Sequence, residues 1–241
     1  MVLIKRIAAL FIVIVAIYML VMFLFVGNYK ERLWLHRCNS IEKFTEQHES
    51  YPNIEIDLVY RESGYFDVTH DEPVTYGLPL DSIFAHPMCD GKMWLDIKNI
   101  TALNVDSVLF ELQHLLAQYK IDKSRLIIES SSWQELAILT NAGFYTSYYF
   151  PVGNPRKLNA NQQKSALDNL QKVVDSAEIC AISFPAWWYS DIKRTIKTDL
   201  DLLTWKHRST QYEFFLMGGF RLLNDKQVKV VLLKSKGKYH R

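Results

Sequence analysis

Ile54-Glu-Ile-Asp57 and Trp94-Leu-Asp-Ile-Lys98 are the stretches that decide the fold of this 241-residue chain. In both, apolar residues alternate with ionisable ones, as expected of a β-strand whose successive side chains point to opposite faces. The two carboxylates of the first stretch therefore share one face, and so do the carboxylate and the lysine of the second. The pattern predicts strands that present charged side chains on one surface.

Strand-like runs alternate with helical patterns along most of the chain. The predicted strands cover residues 33–38, 53–60, 92–98, 125–130, 145–150, 179–184, 200–206 and 228–233. The predicted helices cover residues 41–48, 105–119, 133–141, 162–176 and 210–223. This alternation favours parallel strands with crossover helices, and its extent predicts a compact (β/α)8 TIM barrel. A doubly wound open sheet is the alternative, weakened because no glycine-rich phosphate loop follows any strand.

The N-terminal segment is the most apolar part of the chain. Residues 7–26 carry no charge, and about 20 such residues are needed to span a bilayer as a helix. A cleaved signal peptide is the alternative, but no small-residue cleavage pattern follows the run. We therefore expect one transmembrane anchor, residues 1–27, followed by a barrel domain, residues 28–241. The basic residues on either side nearly balance, which weakly favours a cytoplasmic N-terminus and an extracytoplasmic domain.

Composition excludes several classes of protein. The formal net charge is only +2, which gives no electrostatic footprint for nucleic acid. The three cysteines, Cys38, Cys89 and Cys180, are too few and too scattered for a disulfide framework or a zinc site. No feature of the sequence indicates an obligate protein partner.

Carboxylates dominate the candidate site. Ile54 and Ile56 suit packing under helices, so Glu55 and Asp57 are expected to face the barrel interior, although a solvated strand face is the simpler alternative. Buried carboxylates are costly unless they are paired or bind a metal. Asp96 is the natural third ligand, unless it only pairs with Lys98 to support the fold. Oxygen ligands without clustered thiolates favour Mg²⁺ or Ca²⁺ over Zn²⁺.

Polar and aromatic residues at other strand ends complete the candidate site. His36 and Arg37 end the first predicted strand, and a hairpin-like extension over residues 66–70 would carry His70 over the barrel mouth. A single histidine is usually structural, but two beside charged residues favour a shared function. Arg37 is either a surface charge or a bidentate phosphate ligand. Trp205 ends the seventh predicted strand and faces the same mouth.

The ordered series resembles the glycerophosphodiester phosphodiesterase family, within the larger group of phosphatidylinositol-phospholipase-C-like barrels. The matching motifs are His36-Arg37, Glu55-Ile-Asp57, His70-Asp71, Asp96-Ile-Lys98 and Trp205. The chain departs from the family pattern at Cys38-Asn39, where a glycine is usual. It also lacks the Pro-Glu-Asn-Thr stretch and the inserted subdomain of that family, and it has Asp96 where the family usually has a glutamate.

The resemblance implies a catalytic site residue by residue. It assigns metal binding to Glu55, Asp57 and Asp96, general acid and base catalysis to His36 and His70, phosphate binding to Arg37 and Lys98, and the substrate cleft to Trp205. The expected function is a membrane-anchored, metal-dependent phosphodiesterase acting on a glycerophosphodiester, a phospholipid headgroup or a related phosphodiester. Two alternatives stay open: a non-catalytic barrel that binds a phosphorylated ligand, and a glycan- or lipid-processing enzyme built on paired carboxylates.

Overall fold

A closed eight-stranded parallel barrel forms the body of the protein. The computed structural model describes residues 2–206, 209–216 and 218–235. The barrel strands are β1 (Leu33–Leu35), β2 (Ile54–Tyr60), β4 (Met93–Ile97), β5 (Leu126–Ser130), β6 (Tyr145–Tyr149), β7 (Ala181–Pro185), β8 (Asp201–Trp205) and β9 (Val228–Leu233). They pair in chain order, and β1 closes the barrel by pairing in parallel with both β2 and β9. This confirms the predicted (β/α)8 barrel.

Strand β3 (Phe66–Val68) extends the sheet beyond the barrel. It runs antiparallel to β2, with Leu58 opposite Val68 and Tyr60 opposite Phe66. The predicted hairpin-like extension is therefore confirmed. It brings residue 70 to the end of the barrel at which the parallel strands terminate.

Helices cover the outside of the barrel. They are α2 (Ile41–Gln47), α3 (Leu80–Phe84), α4 (Val105–Tyr119), α5 (Trp133–Asn141), α6 (Ala160–Ser176), α7 (Tyr189–Thr195), α8 (Gln211–Leu216) and α9 (Phe220–Asn224). Apolar side chains from the outer face of the strands, including Ile56 and Leu95, form the main core with the helices. The predictions for α2, α4, α5 and α6 are confirmed, whereas α3 and α7 were not predicted.

The prediction of one helix over residues 210–223 is wrong. The segment contains two short helices, α8 and α9, which Gly218 and Gly219 separate. Gly218 has a φ of +76°, a left-handed conformation that interrupts a helix, and a Cβ added at Gly219 would lie 2.5 Å from ring atoms of Phe214. Met217 between them lies outside the described residues.

Helix α1 (Val2–Tyr29) precedes the barrel and contains the uncharged run of residues 7–26. Its described apolar side chains are exposed, among them Phe11 and Ile12. Within the described residues, no helix is both long enough and apolar enough to cross a membrane. The structure therefore does not support the predicted transmembrane anchor. The side chains of residues 22, 23, 25 and 26 in that run lie outside the described part of the chain.

Apolar side chains pack inside the barrel. Alternate residues of the strands point inward, and the apolar ones among them form a second buried cluster: Trp34, Trp94, Ile127, Ala181, Leu203, Trp205, Val230 and Leu232. The barrel interior is therefore packed with side chains, as is usual for eight-stranded barrels.

Candidate active site

The C-terminal ends of the barrel strands surround a cavity of about 980 Å³. In barrels of this type this end carries the active site. The structure brings all the candidate residues of the sequence analysis to the wall of this one cavity: His36, Arg37, Glu55, Asp57, His70, Asp96, Lys98 and Trp205.

Three carboxylates lie together at the base of the cavity. One oxygen from each of Glu55, Asp57 and Asp96 lies within 4.8 Å of the others. Asp57 and Asp96 occupy the same level because they are register partners on the adjacent strands β2 and β4. Glu55 and Asp57 are almost fully buried. A buried group of oxygen donors at this spacing fits a hard divalent cation such as Mg²⁺ or Ca²⁺.

Asp57 is the carboxylate with the most cationic surroundings. Its Oδ1 lies 2.6 Å from Lys98 Nζ, its Oδ2 lies 3.7 Å from Arg37 Nε, and its Oδ2 also accepts a hydrogen bond of 2.7 Å from Asn39 Nδ2. Burial alone would raise the pKa of this carboxyl, but Lys98 and Arg37 outweigh it and lower the pKa to about 2. Asp57 is therefore ionised at neutral pH.

The pKa values of the Glu55 and Asp96 carboxyls are raised, in contrast to that of Asp57. Burial, followed by the charges of Asp57 and Asp96, holds the pKa of the Glu55 carboxyl well above its usual range. Burial also raises the pKa of Asp96, although Lys98 pairs with it directly. Because like charges this close resist full ionisation, the group is suited to a cation.

His36 follows directly on β1 and is buried. Its Nε2 lies 3.8 Å from Glu55 Oε2, and its Nδ1 has no hydrogen-bond partner among the described residues. Burial lowers the pKa of this imidazole well below its usual value. His36 is therefore neutral at pH 7.

His70 lies in a different environment at the rim of the cavity. It follows β3, and its Nδ1 lies 2.7 Å from Asp71 Oδ1. Its side chain is 42% exposed. The two histidines thus share the cavity: His36 lies against Glu55, and the charge of His70 acts on Asp96.

Aromatic rings form another wall of the cavity. Trp205 stacks on Tyr149, with ring centroids 5.6 Å apart and planes at 29°, and its ring centroid lies 6.4 Å from that of His36. Trp187, which is partly exposed, lines the outer rim. Part of the cavity wall is therefore aromatic.

Three polar residues of this site were not predicted from the sequence. Asn39 binds both the side chain and the main-chain N–H of Asp57, the latter at 3.0 Å. Glu129 on β5 is the register partner of Asp96, and Ser183 on β7 hydrogen-bonds to its carboxylate. The signal for Glu129 was available, since it is the only charged residue in the apolar run Leu126–Ser130.

No family model matches the sequence, and no curated protein matches it significantly. A solved structure from Silicibacter pomeroyi DSS-3, provisionally described as a glycerophosphoryl diester phosphodiesterase, superposes with a TM-score of 0.58 at 14% identity. That match covers 83% of this chain and 88% of the other.

Two other solved phosphodiesterase structures are similar. A glycerophosphodiester phosphodiesterase from Parabacteroides distasonis ATCC 8503 gives a TM-score of 0.53 at 14% identity, over 83% of this chain and 91% of the other. A phosphodiesterase from Oleispira antarctica, solved with its product sn-glycerol-3-phosphate, gives 0.51 at 12% identity, over 86% and 94%. At these identities the likeness establishes the fold, and it is the fold that the sequence resemblance implied.

Proposed function

We propose that this protein is a metal-dependent phosphoric diester hydrolase. The observation that carries the proposal is the convergence of Glu55, Asp57 and Asp96 with two cations and a buried neutral histidine in one cavity. The proposed substrates are glycerophosphodiesters, phospholipid headgroups or related phosphodiesters. The fold shared with a glycerophosphodiester phosphodiesterase, and with a phosphodiesterase solved with its product sn-glycerol-3-phosphate, supports this choice.

Glu55, Asp57 and Asp96 are the residues that would hold one Mg²⁺ or Ca²⁺ ion. Their oxygens lie within 4.8 Å of one another, which fits such an ion. When bound, a divalent cation polarises phosphoryl oxygens and balances charge in the transition state. The Lys98 ammonium pairs with both Asp57 and Asp96, so it compensates part of their negative charge.

Arg37 and Lys98 would bind the phosphate. Both cations lie at the cavity wall next to Asp57, and the Arg37 side chain is 39% exposed, which leaves it accessible to a ligand. A guanidinium can bind two non-bridging oxygens at once, and an ammonium adds a point charge. Together they would stabilise the charge that develops on the phosphoryl group.

Proton transfer is assigned to the two histidines. We take His36 as the general base, because it is buried and neutral and lies next to Glu55 of the carboxylate cluster. It would remove the proton from the attacking hydroxyl, either water or a hydroxyl of the substrate, as the new P–O bond forms. His70, which Asp71 orients from the rim, would donate a proton to the leaving oxygen as the old P–O bond breaks. Trp205 and Tyr149 would form the wall against which the leaving group lies.

The proposal also includes attachment to a membrane. The support comes from the uncharged run of residues 7–26 and from the exposure of its described side chains. The segment between α1 and β1 is short, Lys30–Arg32, so attachment through α1 would keep the barrel close to the lipid surface. We propose a single-pass protein with an extracytoplasmic barrel, which would act on lipid or lipid-linked phosphodiesters.

The experiment is a hydrolysis assay of the full chain in detergent against a panel of glycerophosphodiesters and phospholipids. Activity with Mg²⁺ or Ca²⁺ that chelator removes is the expected result. Tight binding of a phosphorylated ligand without turnover would instead indicate a binding module. Cleavage of glycosides but not phosphodiesters would indicate the carbohydrate chemistry of paired carboxylates.

A further inference from the structure

Lys43 is a buried lysine behind the active site that the proposed mechanism does not use. It belongs to helix α2 and is only 6% exposed. Its Nζ donates hydrogen bonds to the main-chain carbonyl of His36 at 2.8 Å and to that of Arg37 at 2.7 Å. One ammonium therefore holds the backbone of both residues that precede Cys38.

These carbonyls belong to an unusual turn. Arg37 has a φ of +54°, in the left-handed region that residues other than glycine seldom adopt. A strained conformation of this kind persists only where its surroundings hold it, and such residues cluster at functional sites. A glycine would relieve the strain, but it would lack the guanidinium that faces Asp57.

Other main-chain bonds hold the remaining sides of the turn. The His36 N–H donates to the carbonyl of Leu233 at 2.9 Å, and the Cys38 N–H donates to the carbonyl of Glu55 at 2.7 Å. The Arg37 N–H donates to Glu55 Oε2 at 2.6 Å. The N–H groups of the turn are thus bound by strands β9 and β2, whereas Lys43 binds the carbonyls from the helix side.

The position of Lys43 is fixed as well. Its main-chain N–H donates to Ser40 Oγ, the side chain that caps the start of α2, at 3.2 Å. Burial lowers the pKa of its ammonium, so the site must supply compensating acceptors for the charge to remain. The main-chain carbonyls of His36 and Arg37 are such acceptors. His36 is the proposed general base, and Arg37 is a proposed phosphate ligand.

We propose that Lys43 is a positioning residue for the proposed reaction: its ammonium fixes the turn that directs His36 and Arg37 into the cavity. The inference rests on the proposed function and extends it to a residue that touches neither substrate nor metal. The expected consequence is that loss of the ammonium lowers the rate of the chemical step. A misplacement of about 1 Å can reduce a rate by roughly a hundredfold.

The test compares two lysines that bind backbone carbonyls. Lys123 Nζ donates to the carbonyl of Ala142 at 2.6 Å, near the N-terminal end of β5 and away from the site. The full chain is prepared as wild type, Lys43→Met, Lys43→Ala and Lys123→Met, and kcat, KM and the thermal midpoint are measured with metal present. We expect kcat of Lys43→Met to fall about tenfold to a hundredfold with a much smaller change in KM, whereas Lys123→Met loses stability but keeps its kcat.

Chemical rescue separates positioning from loss of folding. Propylammonium added to Lys43→Ala should restore kcat in a saturable way, because the amine can occupy the space of the missing side chain, and tetramethylammonium should not. Folded Lys43→Met with wild-type kcat would overturn the inference. So would a fall in kcat that matches the loss of folded protein and shows no rescue. An inactive wild type that binds metal would refute the proposed function instead, so the two failures are distinguishable.

Discussion

The main-chain N–H of Arg37 donates a hydrogen bond of 2.6 Å to Glu55 Oε2. This bond joins the end of β1 to one carboxylate of the proposed metal site. The bond depends on the left-handed conformation of Arg37, with its φ of +54°. The same residue directs its guanidinium towards Asp57. Arg37, the proposed phosphate ligand, therefore contacts two proposed metal ligands, Glu55 and Asp57. A change in the conformation of Arg37 should affect both phosphate binding and metal binding.

Metal binding is the first prediction. Mg²⁺ or Ca²⁺ should raise the thermal midpoint of the wild-type chain, because an ion that binds only the folded state stabilises it. The free energy of unfolding should rise by about 2.7 kcal/mol at a free ion concentration 100 times Kd. Asp57→Asn should abolish this gain, and the exposed control Asp106→Asn should keep it. Differential scanning calorimetry with and without chelator makes the measurement, and the absence of any shift in the wild type would contradict the assignment.

Substitution of the histidines is the second prediction. His36→Ala and His70→Ala should each lower kcat by roughly 10²- to 10⁴-fold, the usual contribution of a general acid or base. His70 is exposed, so its substitution should leave the thermal midpoint nearly unchanged. His114→Ala, on the outer surface of α4, is the matched control. A rate within a few-fold of wild type for either active-site variant would refute its assignment.

Glu129 gives the third prediction, on pH and stability. Burial, with Asp96 as the next cause, holds the pKa of this carboxyl well above its usual range. A group whose pKa is raised by folding favours the folded state below its unfolded pKa, which is 4.5 for this carboxyl. That contribution is lost as the pH rises through the folded value. The metal-free protein should therefore lose stability from acid towards alkaline pH through this residue.

The variant Glu129→Gln removes the titrating group but keeps an oxygen that can accept from Ser183. In urea unfolding with chelator present, it should be more stable than wild type at pH 8 and have a flatter pH dependence. Glu49→Gln, at an exposed position, should follow the wild-type curve. A Glu129→Gln chain less stable than wild type at pH 8 would show that the ionised carboxylate stabilises the fold.

Attachment to the membrane is the fourth prediction. The full chain should stay in the membrane pellet after carbonate extraction, and a chain that starts at residue 28 should not. Protease added to spheroplasts should digest the barrel if it lies outside the cytoplasm. Release of the full chain by carbonate would contradict the anchor, and full protection from protease would contradict the orientation alone.

Much of the fold and the inner face of the site could be predicted from local pattern. Alternation along β2 puts Glu55 and Asp57 on one face whatever the rest of the chain does. The parallel barrel then brings strand ends together, so Asp96 and His36 were expected near them. These inferences need only the period of a strand and the closure of the barrel.

Contacts between distant residues could not be predicted in the same way. Glu129 and Ser183 are 54 positions apart, and nothing in either strand indicates the other. Lys43 lies in a helical pattern where a lysine normally faces water, and the left-handed turn at Arg37 gives it buried acceptors. The error at residues 210–223 had a local cause, since the paired glycines 218 and 219 were present as a signal against a continuous helix.

The most direct test of the central claim is ³¹P NMR of a glycerophosphodiester incubated with the purified full chain and Mg²⁺ or Ca²⁺. The proposed function predicts that the phosphodiester resonance disappears and a phosphomonoester resonance replaces it, that chelator stops the reaction, and that His36→Ala fails to catalyse it. No loss of any phosphodiester in the panel, at high concentrations of a folded chain shown to bind the ion, would contradict it.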